Sequence, residues 1–198
     1  MITNKQFIFS GDRFAGHLAF WKKELSEPGP PRSFRGDKSG SGSRVVERFC
    51  FELEQACARR LEAIAGNRPM EHFTLFLTAA AVVISKYSGY PRVALVTPLT
   101  RAGVSDVQWE TFVPVALDLD EEASLKKTII DVSNRLKECY RFQNFPLVLA
   151  EEKVVRIADV CVSSDDLHVD IPDDAQNWDF RIHVSGPLSG APCAFRID

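Results

Sequence analysis

The sequence predicts a mixed α/β (α+β) fold of two layers, a mixed β-sheet covered by helices. Two long segments, 71–87 and 123–141, carry apolar residues at helical spacing, while 92–97, 111–119 and 180–184 run apolar or alternate as strands do. The order reads helix, strand, helix, helix, strand, strand, helix, strand, strand, strand. That order lacks the strict alternation of an all-parallel sheet. With 198 residues, 45% of them hydrophobic, the chain can bury one sizeable core, and residues 1–198 are expected to form a single domain.

Each element has a local reason. Residues 12–26 place Phe14, Leu18, Trp21 and Leu25 on one helical face, with Asp12 as N-cap, and the helix stops at Pro28-Gly29-Pro30-Pro31. Residues 27–43, rich in Pro, Gly, Ser and charge, are expected to be a flexible surface loop inside the domain. The stretch 44–53 sets Val45, Phe49, Phe51 and Leu53 on one face at period two, a strand pattern. A helix over 54–65 then ends at Gly66-Asn67.

The segment 71–87 is the strongest helix. Phe73, Leu77, Ala80, Ile84 and Tyr87 form a stripe that Phe76, Ala81 and Val83 widen almost all round, so the helix should be buried against a sheet, with Gly89 ending it. Residues 92–97 form a continuous apolar run, as a strand covered on both faces does. In 111–119, Val113, Val115, Leu117 and Leu119 share a face, and Pro114 argues against a central position in the sheet. The helix 123–141 carries Leu125, Ile129, Val132, Leu136 and Cys139, with Ser124 near its start. Phe142 to Val148, FQNFPLV, breaks that pattern: Pro146 biases Phe145 to an extended conformation and opens a new short turn. Strands are expected at 156–162, 180–184 and 193–197, with an acidic loop over 163–177 and a hairpin turn at 187–190.

Composition removes several function classes. A formal net charge of -3 gives no electrostatic reason for a nucleic-acid or anionic-membrane partner. Arg59-Arg60 and Lys126-Lys127 read as solvated helix faces. No apolar run reaches the ~20 residues of a membrane span, and Met1-Ile2-Thr3-Asn4 opens no signal peptide, so a cytoplasmic setting is expected. Cys50, Cys57, Cys139, Cys161 and Cys193 show no CxxC spacing and are expected to be reduced thiols rather than disulfide or metal partners. The chain has neither HExxH nor a GxxxxGK[ST] phosphate loop.

Three candidates for chemistry deserve weighing. Cys161 and His183 would make a nucleophilic pair if they faced one another on neighbouring strands, but Val160-Cys161-Val162 reads as core. His168, among Asp170, Asp173 and Asp174, suggests a general base or a weak metal site, set against a solvated acidic loop with one incidental histidine; the second reading is favoured. The acid pairs Asp165-Asp166 and Asp173-Asp174 have no fixed geometry by sequence. The residues thus assign no catalytic, cofactor-binding or metal site.

Four segments in one order are more specific. FWKKEL at 20–25 is similar to the YWKEQL segment of nonribosomal peptide synthetase condensation domains. The helix through Tyr87-Ser88-Gly89 followed by RVALVTPLTRAG at 92–103 resembles their RYSGQxDVxVGTPxAGR. ETFVPVALDL at 110–119 stands in the place of GxFVNTLPLR, and FQNFPLV at 142–148 in that of HQDYPFE. The resemblance covers most of residues 18–185 and implies one chloramphenicol-acetyltransferase-like lobe, the C-terminal of two that enclose a tunnel. For complete domains it implies amide formation between substrates held as thioesters on the phosphopantetheine arms of separate carrier domains.

The motif HHxxxDG that carries this chemistry belongs to the other lobe. This chain has no HH dipeptide, and His168 is followed four residues later by Pro172 where the motif has Asp. The matched motifs are also worn: Pro114 and Val115 replace Asn and Thr, Leu119 replaces Arg, and Phe142, Asn144, Leu147 and Val148 replace His, Asp, Phe and Glu. The expectation is a truncated, non-catalytic lobe at the start of a synthetase, an interaction module for an adjoining adenylation or carrier domain or a partner subunit. The alternative is an acyl or condensation transferase whose active site is completed by another chain or by the missing N-terminal lobe.

Overall fold

A computed structural model describes residues 12–26, 47–103, 111–150, 158–171, 178–185 and 194–197. In chain order the elements are α1 (Asp12–Ser26), β1 (Phe49–Glu52), α2 (Gln55–Ala65), α3 (Pro69–Ser88), β2 (Arg92–Pro98), β3 (Phe112–Asp118), α4 (Leu125–Arg141), β4 (Val160–Ser164), β5 (Phe180–Ser185) and β6 (Ala194–Ile197), with 3-10 turns at Arg101–Gly103 and Leu147–Leu149. The strands form one six-stranded sheet in the order β1-β6-β5-β4-β2-β3. β4 runs parallel to both of its neighbours, and every other pairing is antiparallel, so the predicted mixed sheet is present.

Helix ends follow their signals. Pro69 opens α3, where its missing N–H costs nothing, and Gly89 closes it at φ 75°, a left-handed conformation that suits a residue without Cβ. Ser124 caps α4, its hydroxyl accepting from the Lys127 N–H at 3.3 Å.

One face of the sheet meets the helices. Val93 and Leu95 of β2, Val113, Val115 and Leu117 of β3, and Val160 and Val162 of β4 join Phe73, Leu77, Ala81 and Ile84 of α3 and Val132, Leu136 and Cys139 of α4 in the main core. Each large side chain fully buried there contributes about 1.5–3 kcal/mol. The alternate residues of β2 and β4 point to the opposite face. There Val96 and Cys161 pack with Phe112, Ala158 and Trp178, the rings of Phe112 and Trp178 meeting edge to face at 4.7 Å. Burial on both sides accounts for the unbroken apolar run of β2.

Several expectations are corrected. α3 is not covered all round: Val83 and Tyr87 are 67% and 75% exposed, because the sheet takes one side of the helix and α2 and α4 take only its flanks. Leu125, expected in the buried stripe of α4, is exposed; at the first helical position its side chain leans back over the turn before the helix, away from the sheet. β1 is shorter than the period-two pattern suggested, and Phe49 and Phe51 are exposed, because β1 is the edge strand at the end of the sheet away from β4, β2 and β3, the strands on which α3 and α4 pack. The expectation from Pro114 holds: it pairs with Val96, and β3 is an edge strand, where a residue lacking N–H is tolerated. The acidic loop begins later than expected, since Ser163 and Ser164 complete β4. The expected loop at 27–43, the turn at 187–190, and Cys193, Asp173 and Asp174 lie outside the described residues.

Candidate functional site

FQNFPLV is where α1, α4 and the turn after β2 meet. Phe142 caps α4, its N–H bonding to the Cys139 carbonyl at 3.1 Å, and Asn144 takes a positive φ of 58° that turns the chain away. The Phe142 ring stacks on Phe20 of α1 with centroids 4.3 Å apart and planes 18° from parallel. Its carbonyl accepts from Trp21 Nε1–H at 2.9 Å, so the buried indole is satisfied. Phe145 is buried against Phe14, 5.4 Å between centroids. The Arg135–Glu24 ion pair ties α1 to α4 independently.

Gln143 points the other way. Its Oε1 accepts from the Thr100 N–H at 3.0 Å and its Nε2 donates to Thr100 Oγ1 at 2.9 Å, so one amide satisfies both groups of the turn after β2. Gly103 makes room for it: a Cβ there would fall inside the Gln143 amide. Gly103→Ala should therefore displace Gln143 and cost about 1–2 kcal/mol in urea unfolding, the loss of two partly buried hydrogen bonds. Gln143→Ala in the same background should add less than it does alone, because the bonds are already broken. Not every replaced motif residue is buried. Leu147 is, but Val148 is 56% exposed, since the 3-10 turn Leu147–Leu149 presents only one of its three side chains to the core.

Next to this junction, Thr100 and His168 form an isolated antiparallel bridge. His168 does not sit in a solvated acidic loop. It is 1% exposed, with Phe73 edge-on to its ring at 4.4 Å. Its Nδ1 accepts from the Ser164 N–H at 2.9 Å, which leaves the ring proton on Nε2, 2.6 Å from the Tyr140 hydroxyl. That hydroxyl donates to Thr97 Oγ1 at 3.0 Å. Burial lowers the His168 pKa to about 3 and raises that of Tyr140, so both groups are neutral at pH 7. A buried, doubly satisfied neutral imidazole holds β2, α4 and the loop after β4 together.

Cys161 and His183 are not partners. Cys161 stands opposite Arg181 in the register of β4 and β5, and burial pushes its thiol up to about 12. His183 stands opposite Ser163, whose hydroxyl lies 2.9 Å from Nδ1, and its Nε2 lies 3.0 Å from Asp165 Oδ1. A polar cleft of about 210 Å³ is lined by Ser163, Asp165, His168, Asp170, Arg181 and His183 among others. Sequence reasoning missed Ser163, placed in a loop, because its position depends on the pairing of β4 with β5. It also missed the Gln143–Thr100 link, which spans residues 43 apart. No group of three or more metal-ligating side chains occurs among the described residues.

The chain matches no family model and no curated protein. Solved structures with the same fold are plentiful. A four-domain nonribosomal peptide synthetase bound to AMP and glycine matches with TM-score 0.73 at 16% identity over 98% of this chain and 18% of that one. The starter condensation domain of the rhizomide synthetase RzmA matches with TM-score 0.72 at 15% identity, over 98% of this chain and 48% of its own. SgcC5 from Streptomyces globisporus matches with TM-score 0.71 at 13% identity, over 97% of this chain and 51% of its own. This chain therefore spans 18% of the four-domain synthetase and about half of the other two chains, and its fold is that of one half of a condensation domain.

Proposed function

We propose that the chain is a condensation-domain lobe that does not form amide bonds itself and serves as a structural or interaction module in a nonribosomal peptide synthetase. The observation that carries this reading is the full-length match of the chain to half of a condensation domain, combined with a sequence that has no HHxxxDG. The nearest histidine by sequence, His168, has both ring nitrogens engaged inside the core. On this reading the lobe supplies one wall of a two-walled tunnel, and one wall by itself neither holds two thioesters in reacting geometry nor excludes water from them. Its partners on this reading are an adjoining adenylation or carrier domain or a second synthetase subunit; phosphopantetheine would arrive on carrier domains as part of the substrates. Val83 and Tyr87, one helical turn apart and exposed on α3, provide apolar surface for such a contact.

The test offers the domain two carrier proteins loaded with aminoacyl thioesters and measures product by mass spectrometry. No dipeptide is expected above the uncatalysed background. Turnover that disappears in His168→Ala would overturn the reading. The alternative, an active site completed by another chain, predicts turnover only on addition of that chain.

A further inference from the structure

The three side chains Ser163, His183 and Asp165 are joined end to end, and the proposed function uses none of them. His183 Nε2 lies 3.0 Å from Asp165 Oδ1 and Nδ1 lies 2.9 Å from the Ser163 hydroxyl; with the ring proton on Nε2, facing the carboxylate, the Nδ1 lone pair is directed at that hydroxyl. The serine is then the proton donor and the imidazole the acceptor, the polarity in which a hydroxyl is activated as a nucleophile. Parallel pairing of β4 with β5 fixes the geometry, because Ser163 and His183 stand opposite each other in the register. The ring nitrogens are used in the reverse sense of the familiar serine-protease arrangement, but the relay requires only that acid, imidazole and hydroxyl be linked in that order.

We propose that Ser163, His183 and Asp165 form an acyl-transfer site that accepts small acyl groups from activated esters or thioesters. Ser163 Oγ attacks the acyl carbonyl carbon while its proton passes to His183 Nδ1, and Asp165 stabilises the imidazolium. The bond from carbon to the leaving oxygen or sulfur breaks, and the leaving group takes the proton from His183. Water, deprotonated by the regenerated imidazole, then cleaves the seryl ester to release the acid. Arg181, two residues before His183 on the same face of β5 and lining the same cleft, places positive charge near the developing oxyanion.

The size of the site sets its substrate class. The cleft holds about 210 Å³ and Ser163 lies at its floor, 2% exposed. That is smaller than the ~300–1,000 Å³ of drug-sized ligand pockets, so it fits a short chain such as acetyl and excludes a long or branched one. The inference does not depend on the condensation-lobe reading, which concerns amide formation between carrier-bound substrates.

The test uses p-nitrophenyl acetate with the whole chain. A burst of p-nitrophenol is expected, with the acetyl group found on the Ser163 peptide by mass spectrometry. Ser163→Ala should abolish the burst, and His183→Gln should slow it at least about 100-fold, the usual contribution of a general base. Ser163→Cys should restore acylation. In the wild-type chain, the small reagent methanesulfonyl fluoride should label Ser163, a measurement that needs no variant to fold. No burst, acetylation at other residues that persists in Ser163→Ala, or a wild-type chain that methanesulfonyl fluoride leaves unlabelled at Ser163 would each overturn the proposal.

Discussion

Acidification from pH 7 to pH 4.5 should cost the protein about 3 kcal/mol through His168 alone, read as a fall in unfolding free energy in urea. Burial holds the folded-state pKa at about 3, below the ordinary value of 6.5, so the unfolded chain binds the proton more readily. The contribution is therefore fully present above pH 6.5 and is lost progressively as pH falls from there toward 3. Geometry gives the same sign. A proton on Nδ1 would confront the Ser164 N–H that now donates to it, and the charge would lie against Phe73 with no carboxylate among the described residues hydrogen-bonded to it. His168→Leu should remove this part of the pH dependence while lowering stability at pH 7, since the Tyr140 hydroxyl and the Ser164 N–H lose a partner. Equal slopes for the two proteins between pH 7 and 4.5 would show that His168 is not buried as described.

Trp21→Ala should be the most damaging single change, costing about 3–5 kcal/mol. The indole is 1% exposed and its N–H is bonded to the Phe142 carbonyl, so truncation leaves both a cavity and an unsatisfied acceptor. For a domain of this size the loss corresponds to a melting temperature lower by roughly 10 °C. Trp21→Phe separates the two causes, because it retains most of the packing and removes the hydrogen bond, for about 1 kcal/mol. If the two variants were equally mild, α1 would not be held to the core through FQNFPLV.

That segment shows how far sequence reading reaches. The proline rule located the break after α4 and the short turn that follows Pro146. It gave no reason for Phe142, Gln143 or Phe145, because their partners Phe20, Thr100 and Phe14 are far away in the chain. The ordered resemblance of four segments identified the half-domain whose fold the structure then displayed.

The sequence by itself determined the elements, their order and most of their inward faces, since helix caps, turn residues and hydrophobic period are local properties. It also determined that HHxxxDG is not part of this chain. Only the tertiary structure decided which polar residues are buried and with whom. His168 looked solvated among aspartates and is in the core; Ser163 looked like loop and lies opposite His183 on a strand. The physical reason is that burial and hydrogen-bond partnership are set by pairings between distant strands, and a one-residue change of register would place either side chain on the other face of the sheet.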